Sequence, residues 1–571
     1  MNPKSTLQTL LTLAFLVFGI LFICDSSLAN SQEKKPNFGD YLSGMLAEKE
    51  GRIDEAIQHY NLVIQADKGN VELLQKLHIL SLRSGQFQRA LEYATDIKEY
   101  ATPNDSLVEI TLLVNALSKN QFNDGLRILN SIEDSVFNEN ARKIMSAWSF
   151  AGKKDFDSAM KVLEDIVEKE GKSLTKNLNI ALLLDASGDK HAAKIKFDSI
   201  SLGNLFSAGE ALPLRVYEIL LGYYSVGHNK QVLEKVFRAM AENHHTVILD
   251  SELNFLSFKN LNHESIKPKA AIGEIFFNIA VSYRGNNQND MFQIFSTYTS
   301  QLNAKIPLLL IVMAELFEAD GKYDEALNLY NKLSRNQIYH AYAELRLAIC
   351  LYNLRRTSES IDKLYGLANM QSTRTQAFIN LGDIFRLEKQ YKESIEAYSK
   401  AVDSIVTLEK KHWSLFYHRG IAYERSQQWG RAENDFMRSL ELDPNQAEVI
   451  NYIAYSWVEM GMHLEKALEM LKTATALQPD DGYITDSLGW AHFHLGNLDE
   501  AVVQLERAVE LAPLDPTINF HLGSVYIQIG RKRDAYFQWL RALRLEPDTK
   551  LENEIQSVSY THLTLPTSDL V

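Results

Sequence analysis

Apolar residues recur along this chain at helical spacing, in pairs of short runs divided by a turn, and the pairs themselves repeat. The unit is plainest between Trp413 and Pro547: an apolar run, a small residue, a glycine-type turn, an alanine and a closing proline. Pro444, Pro479, Pro513 and Pro547 stand 35, 34 and 34 residues apart, and Ala432, Ala467, Ala501 and Ala535 keep the same intervals. In the unit from Asp486 to Pro513, Gly489 and Ala501 lack bulk where two antiparallel helices must approach, and Leu488, Leu505 and Ala508 fill the seam. Gly496 with Asn497 breaks the first helix, Asp499 lies near the positive N-terminal end of the second, and Pro513 stops it.

The same places recur from the start of the chain. Gly44, Gly51, Ala56 and Tyr60 correspond to Gly489, Gly496, Ala501 and Leu505. The second-helix small residue then returns as Ala90, Gly125, Ala159 and Ala193, at steps of 34, 35, 34 and 34. The intervening turns fall at Gly85, Asn120, Lys154 and Gly188, so two of them lack the usual glycine. Residues 200–306 lose the phase, although Tyr217–Tyr224, Val232–Met240 and Ala270–Tyr283 still read as amphipathic helices; drifted hairpins or a distinct inserted unit both fit. Phase returns at Ala314, Gly321, Ala326 and Tyr330, and the step from Ser394 to Ala432 is 38, which places four extra residues in or near 406–412. The expected organisation is an N-terminal array over 38–199, divergent helical repeats over 200–306 and a C-terminal array over 307–547.

Both ends differ from this pattern. Residues 1–29 carry Lys4, an apolar run from Leu10 to Cys24 and the small-residue pattern Ser27-Leu28-Ala29, which predicts a cleavable secretory signal followed by a polar connector over 30–37. The apolar run is short of the ~20 residues that span a bilayer, and an uncleaved inner-membrane anchor is the alternative. Beyond Pro547, Thr549–Gln556 can begin a polar capping helix that covers the last apolar face. Residues 557–571 turn β-branched and lose helical period, as a disordered tail or a stretch of non-native sequence would.

Charge narrows the functional classes. Acidic residues outnumber basic ones, 73 to 59, for a net charge of -14 with no basic block to follow a phosphate backbone, so nucleic acid is not an expected partner. Of two cysteines, Cys24 leaves with the leader, and Cys350 lies in the apolar run 347–352 as a small hydrophobe. His492 and His494 point about 200° apart on a helix, whereas chelation needs spacing of three or four. No phosphate-cradling loop, nucleophile elbow or dinucleotide fingerprint is present. Neither an enzyme nor a cofactor is expected.

The residues quoted above resemble the tetratricopeptide-repeat family, and the last four units match its small and aromatic positions closely. Asn451–Trp457 through Gly530–Trp539 is similar to exported repeat proteins of Gram-negative bacteria. The resemblance implies an all-α, right-handed superhelical solenoid of helix hairpins whose first helices line a groove, and it implies binding rather than chemistry. First-helix positions off the packing stripe are the candidate groove residues: Tyr417, His418 and Arg425; Asn451, Tyr452 and Tyr455; Asp486, Trp490 and His494; His521 and Gln528. Aromatics interleaved with hydrogen-bonding groups suit an extended peptide or a helix. Glu424, Glu459 and Asp486 would repel an acidic tail, so a two-carboxylate clamp is not expected. The expected role is a scaffold of the bacterial envelope, periplasmic or envelope-associated, gripping a protein or peptide. A carbohydrate polymer or its export machinery is the alternative.

Overall fold

The computed structural model describes residues 38–100, 105–133, 137–167, 174–203, 212–226, 230–243, 265–302, 306–336 and 338–562. The expected leader and connector and residues 563–571 of the tail lie outside them. Among the described residues every regular element is helical, and all are α-helices except one 3-10 turn, Lys410–His412.

Each repeat is a helix hairpin closed at its small residues. Helix Gly482–His494 runs into a left-handed turn at Gly496, φ 78°, and returns as Leu498–Leu511. A Cβ on Gly489 would sit 2.6 Å from Leu505 Cγ, and one on Gly523 would sit 2.5 Å from the Trp539 ring, so absent side chains set the interhelical distance. Ala432, Ala467, Ala501 and Ala535 are fully buried on the facing helices.

The turns keep their geometry even where glycine is missing. Asn120 and Lys154 take φ 58° and 64°, and Arg355, Lys389 and Gln427 do the same. Main-chain bonding fixes this shape. The amide of Gln121 donates to Ala116 O at 2.9 Å, that of Asp155 to Phe150 O at 3.0 Å and that of Asn497 to His492 O at 2.9 Å, the six-residue closure of a Schellman turn. Glycine is therefore preferred there but not obligatory, since one left-handed residue costs only about 1–2 kcal/mol.

The described residues fall into two compact units. One comprises those up to Glu210 together with His263–Leu309; the other comprises Ala211–Asn262 and everything from Leu310 onward. The stretch that lost the repeat phase thus divides between them. In the second unit, helices Leu214–Val226 and Lys230–Asn243 form a pair, and Tyr339 Oη donates to Glu218 Oε1 at 2.6 Å. In the first unit, Pro268–Gly285 and Asn289–Leu302 form a tight hairpin. It does not stack at the end of the array. It packs against Val71–Arg83, Ser106–Ser118 and Glu139–Gly152, the first helices of three successive repeats. At the other end of the chain, helix Thr549–His562 extends six residues past Gln556, and its Ile555 is buried in one cluster with Leu522 and Trp539.

Candidate partner-binding face

In the second unit the first helices Arg374–Leu387, Trp413–Arg425, Ala447–Glu459, Gly482–His494 and Pro516–Gln528 follow one another, and each candidate residue lies on one of them. The eleven residues divide by exposure. Arg425, His494 and Gln528 are exposed, while Tyr417, His418, Asn451, Tyr452 and Tyr455 are half-buried. Asp486, Trp490 and His521 are buried. Those three belong to the packing between neighbouring repeats, which corrects the expectation of an open row that includes them.

The buried three form one assembly. His521 Nδ1 lies 2.9 Å from Asp486 Oδ2, and the Trp490 ring stacks on the imidazole at 3.8 Å with 12° between planes. Trp490 Nε1 donates to Glu459 Oε1 at 2.7 Å, and Phe493 stacks on its indole at 4.8 Å. Burying a carboxylate, an imidazole and an indole N–H together is tolerable because each finds a partner.

The same logic links the earlier repeats. Tyr452 Oη donates to Glu424 Oε2 at 3.2 Å, and Arg425 Nε lies 3.3 Å from that oxygen. His418 Nδ1 lies 3.7 Å from Asp383 Oδ1, which also accepts from Tyr398 Oη at 2.6 Å. Tyr417 is edge-on to Tyr452 at 5.8 Å and packs on Phe436. Hence a carboxylate on one first helix repeatedly receives a ring O–H, a ring N–H or a cation from the next. In three cases the interval is 28 residues: Glu48–Lys76, Glu318–Arg346 and Glu424–Tyr452. Each of these carboxylates stands four residues after a small packing residue, Gly44, Ala314 or Gly420. That offset is readable in the sequence, and sequence reasoning did not use it. Burial pushes the Tyr417 phenol up to about 12 and raises Tyr452 and Tyr455 further. Around Tyr455, after burial, the carboxylates of Glu459, Asp486, Glu554 and Asp515 also act to raise it. Burial lowers His418 and His494, so both are neutral hydrogen-bonding groups near pH 7.

Among the described residues no group of three or more His, Cys, Asp or Glu is placed to hold a metal ion, and no helix is long and apolar enough to cross a membrane. His492 is buried and His494 exposed, as their angular separation requires. Cys350 is buried, its thiol is raised to about 11 by burial, and it donates to Glu318 Oε1 at 3.2 Å.

Families described as TPR repeat and Tetratricopeptide repeat match residues 489–530, 311–369, 41–70 and 375–404. A human protein described as Tetratricopeptide repeat protein 13 is 23% identical over 205 residues, 35% of this chain and 22% of its own length. Human protein O-mannosyl-transferase TMTC1 is 21% identical over 207 residues, covering 35% and 23%. A TPR repeat-containing protein of Pseudomonas aeruginosa is 30% identical over 85 residues, covering 15% and 14%. The chain thus spans less than a quarter of the length of each of these curated relatives. Among solved structures, Cut9 with Hcn1 from the APC/C aligns over 93% of this chain and 97% of its own, at 15% identity and TM-score 0.37. Yeast Tom70 aligns over 93% and 96%, at 13% identity and TM-score 0.31.

Proposed function

Because the chain is a tetratricopeptide-repeat protein, we propose that it acts by binding rather than catalysis, as a scaffold of the bacterial envelope that holds another protein on the first-helix face of its second unit. The observation that carries this reading is the open part of that face. Arg425, His494 and Gln528 are exposed, with Tyr417, His418, Asn451, Tyr452 and Tyr455 half-buried beside them, on four successive first helices. Rings held edge-out by their neighbours offer contact area at little entropic cost, and the amides and imidazoles between them supply direction. The carboxylates around Tyr455 favour a neutral or basic segment over an acidic one. The leader-like N-terminus supports export, and the partner is then a periplasmic or envelope protein.

The experiment is in-cell crosslinking from a photoreactive residue placed at Gln528 or at Arg425, followed by mass spectrometry. A discrete protein adduct, reduced by His494→Ala with either probe, is expected. Adducts identical to those from a probe on the outer helix face, at Arg438, would refute the assignment of this face. Enrichment of polysaccharide instead of protein would move the reading to carbohydrate-polymer handling.

A further inference from the structure

In the first unit three of the array's first helices are already covered by the chain itself. Helix Asn289–Leu302 lies against Val71–Arg83 and Ser106–Ser118, while Pro268–Gly285 lies against Glu139–Gly152. The contacts are those of a docked helix. Arg83 pairs with Asp290 at 2.6 Å and donates from Nε to Gln293 Oε1 at 3.4 Å. Thr297 Oγ1 donates at 2.7 Å to Leu82 O, a carbonyl in the last turn of its helix that also accepts from the Gly85 amide at 3.1 Å. Tyr298 Oη donates to Leu107 O at 3.1 Å and sits 2.9 Å from Thr111 Oγ1, which His78 Nε2 also reaches at 2.8 Å. Phe276, Phe292, Phe295 and Tyr298 are buried at 2% exposure or less, with Phe276 edge-on to Phe137 and Tyr298 edge-on to Phe87.

We propose that the hairpin Pro268–Leu302 is a built-in ligand of the first array, closing that array's first-helix face to external partners and leaving capture to the second unit. The occupant is a segment of this chain, and its chemistry matches the face it covers: an acid against Arg83, hydroxyls against main-chain carbonyls, and aromatic rings against the apolar seam. Such an arrangement also explains why the repeat phase breaks here. A helix pair selected to dock across three repeats is not under the 34-residue constraint that stacking imposes.

The test uses the full chain and a fluorescent peptide of residues 286–302. Wild type should show no saturable binding, because its own helix holds the site. The double variant Thr297→Ala with Tyr298→Ala should bind the peptide at least about thirtyfold more tightly than wild type does. Wild type binding the peptide as tightly as the variant would overturn the proposal. Should the double variant lose helicity, hydrogen exchange on the wild-type chain decides. Backbone amides of 289–302 should exchange as slowly as those of Val71–Arg83, and fast exchange there with the array still protected would equally overturn it. Both readouts are independent of whether the second unit binds a partner.

Discussion

Gly523→Ala and Gly366→Ala make the same chemical change with opposite expected signs. A Cβ at position 523 would meet Trp539 Cδ1 and Nε1 at 2.5 Å and the Ala535 carbonyl oxygen at 3.2 Å. The indole cannot step aside cheaply. It is 1% exposed, and its N–H is bonded to Phe520 O at 3.3 Å. Overpacking of this kind costs about 1–3 kcal/mol, and a strained or lost hydrogen bond adds about 1 kcal/mol. The gain in helix propensity from glycine to alanine returns about 1 kcal/mol. The net is a loss of about 1–3 kcal/mol. At position 366, inside helix Thr357–Ala368, nothing lies within 4 Å of the new Cβ, so only the propensity gain of about 1 kcal/mol remains. Because a repeat array can open hairpin by hairpin, a single melting point would average the effect away. Hydrogen exchange resolved to Pro516–Gln528 and Lys532–Arg544 is the sharper assay, with urea midpoints alongside. If Gly523→Ala slowed exchange in that hairpin, or shifted it in the same direction as Gly366→Ala shifts its own, the claim that absent side chains set the helix spacing would fail.

Four further outcomes follow from the structure. Trp490→Ala should destabilise the second unit by about 3–5 kcal/mol through the cavity left among Phe493 and His521, measured by urea denaturation. Arg425→Ala and Gln528→Ala, on exposed side chains, should stay within about 0.5 kcal/mol and are the cleaner probes of partner capture. Ala501→Arg should cost at least about 1–3 kcal/mol, because the site is fully buried, and a thermal midpoint unchanged from wild type would contradict its placement. His78 is neutral inside the hairpin seam, lowered to about 4 by burial against a weaker opposing pull from Asp105. A folded value below the ordinary one of 6.5 means stability present above pH 6.5 and lost as pH falls toward 4, by up to about 3 kcal/mol. His78→Gln should flatten that dependence in the first unit, and parallel pH curves for the two proteins would count against it.

The repeat itself was legible because its cause is local. Spacing of small residues and turn residues determines where two helices touch, and Gly489 against Leu505 needs no information from elsewhere in the chain. The turns at Asn120 and Lys154 were legible from phase alone, since main-chain closure tolerates a non-glycine residue there. Two features depended on contacts that sequence spacing does not encode. The division of residues 200–306 between units, and the docking of Asn289–Leu302 across earlier repeats, rest on pairs such as Thr297 with Leu82 and Tyr298 with Thr111, which lie 215 and 187 residues apart. The candidate row was half legible. Periodicity located the first-helix face, but it could not separate Trp490, committed to His521 and Glu459, from His494, four residues on and exposed.

That separation bears on how a partner is recognised. A side chain can belong to the scaffold and still shape the surface, provided its polar atoms are spent inward. Trp490 donates to Glu459 and Tyr452 donates to Glu424, so each ring is held at a fixed tilt by the preceding repeat. On the proposed binding face the carboxylates that hold them are also the charges a partner would meet, and Arg425 beside Glu424 partly offsets one of them. Loss of one such carboxylate therefore acts twice, freeing a ring and removing a charge. A mutation confined to Arg425 removes the charge and a contact to Tyr452 but leaves the Tyr452–Glu424 bond in place. Comparing Glu424→Ala with Arg425→Ala in the same capture assay separates recognition by preset ring orientation from recognition by field. If orientation dominates, Glu424→Ala weakens capture and Arg425→Ala does not. If charge dominates, the two variants move capture in opposite directions, because they alter the local charge with opposite sign.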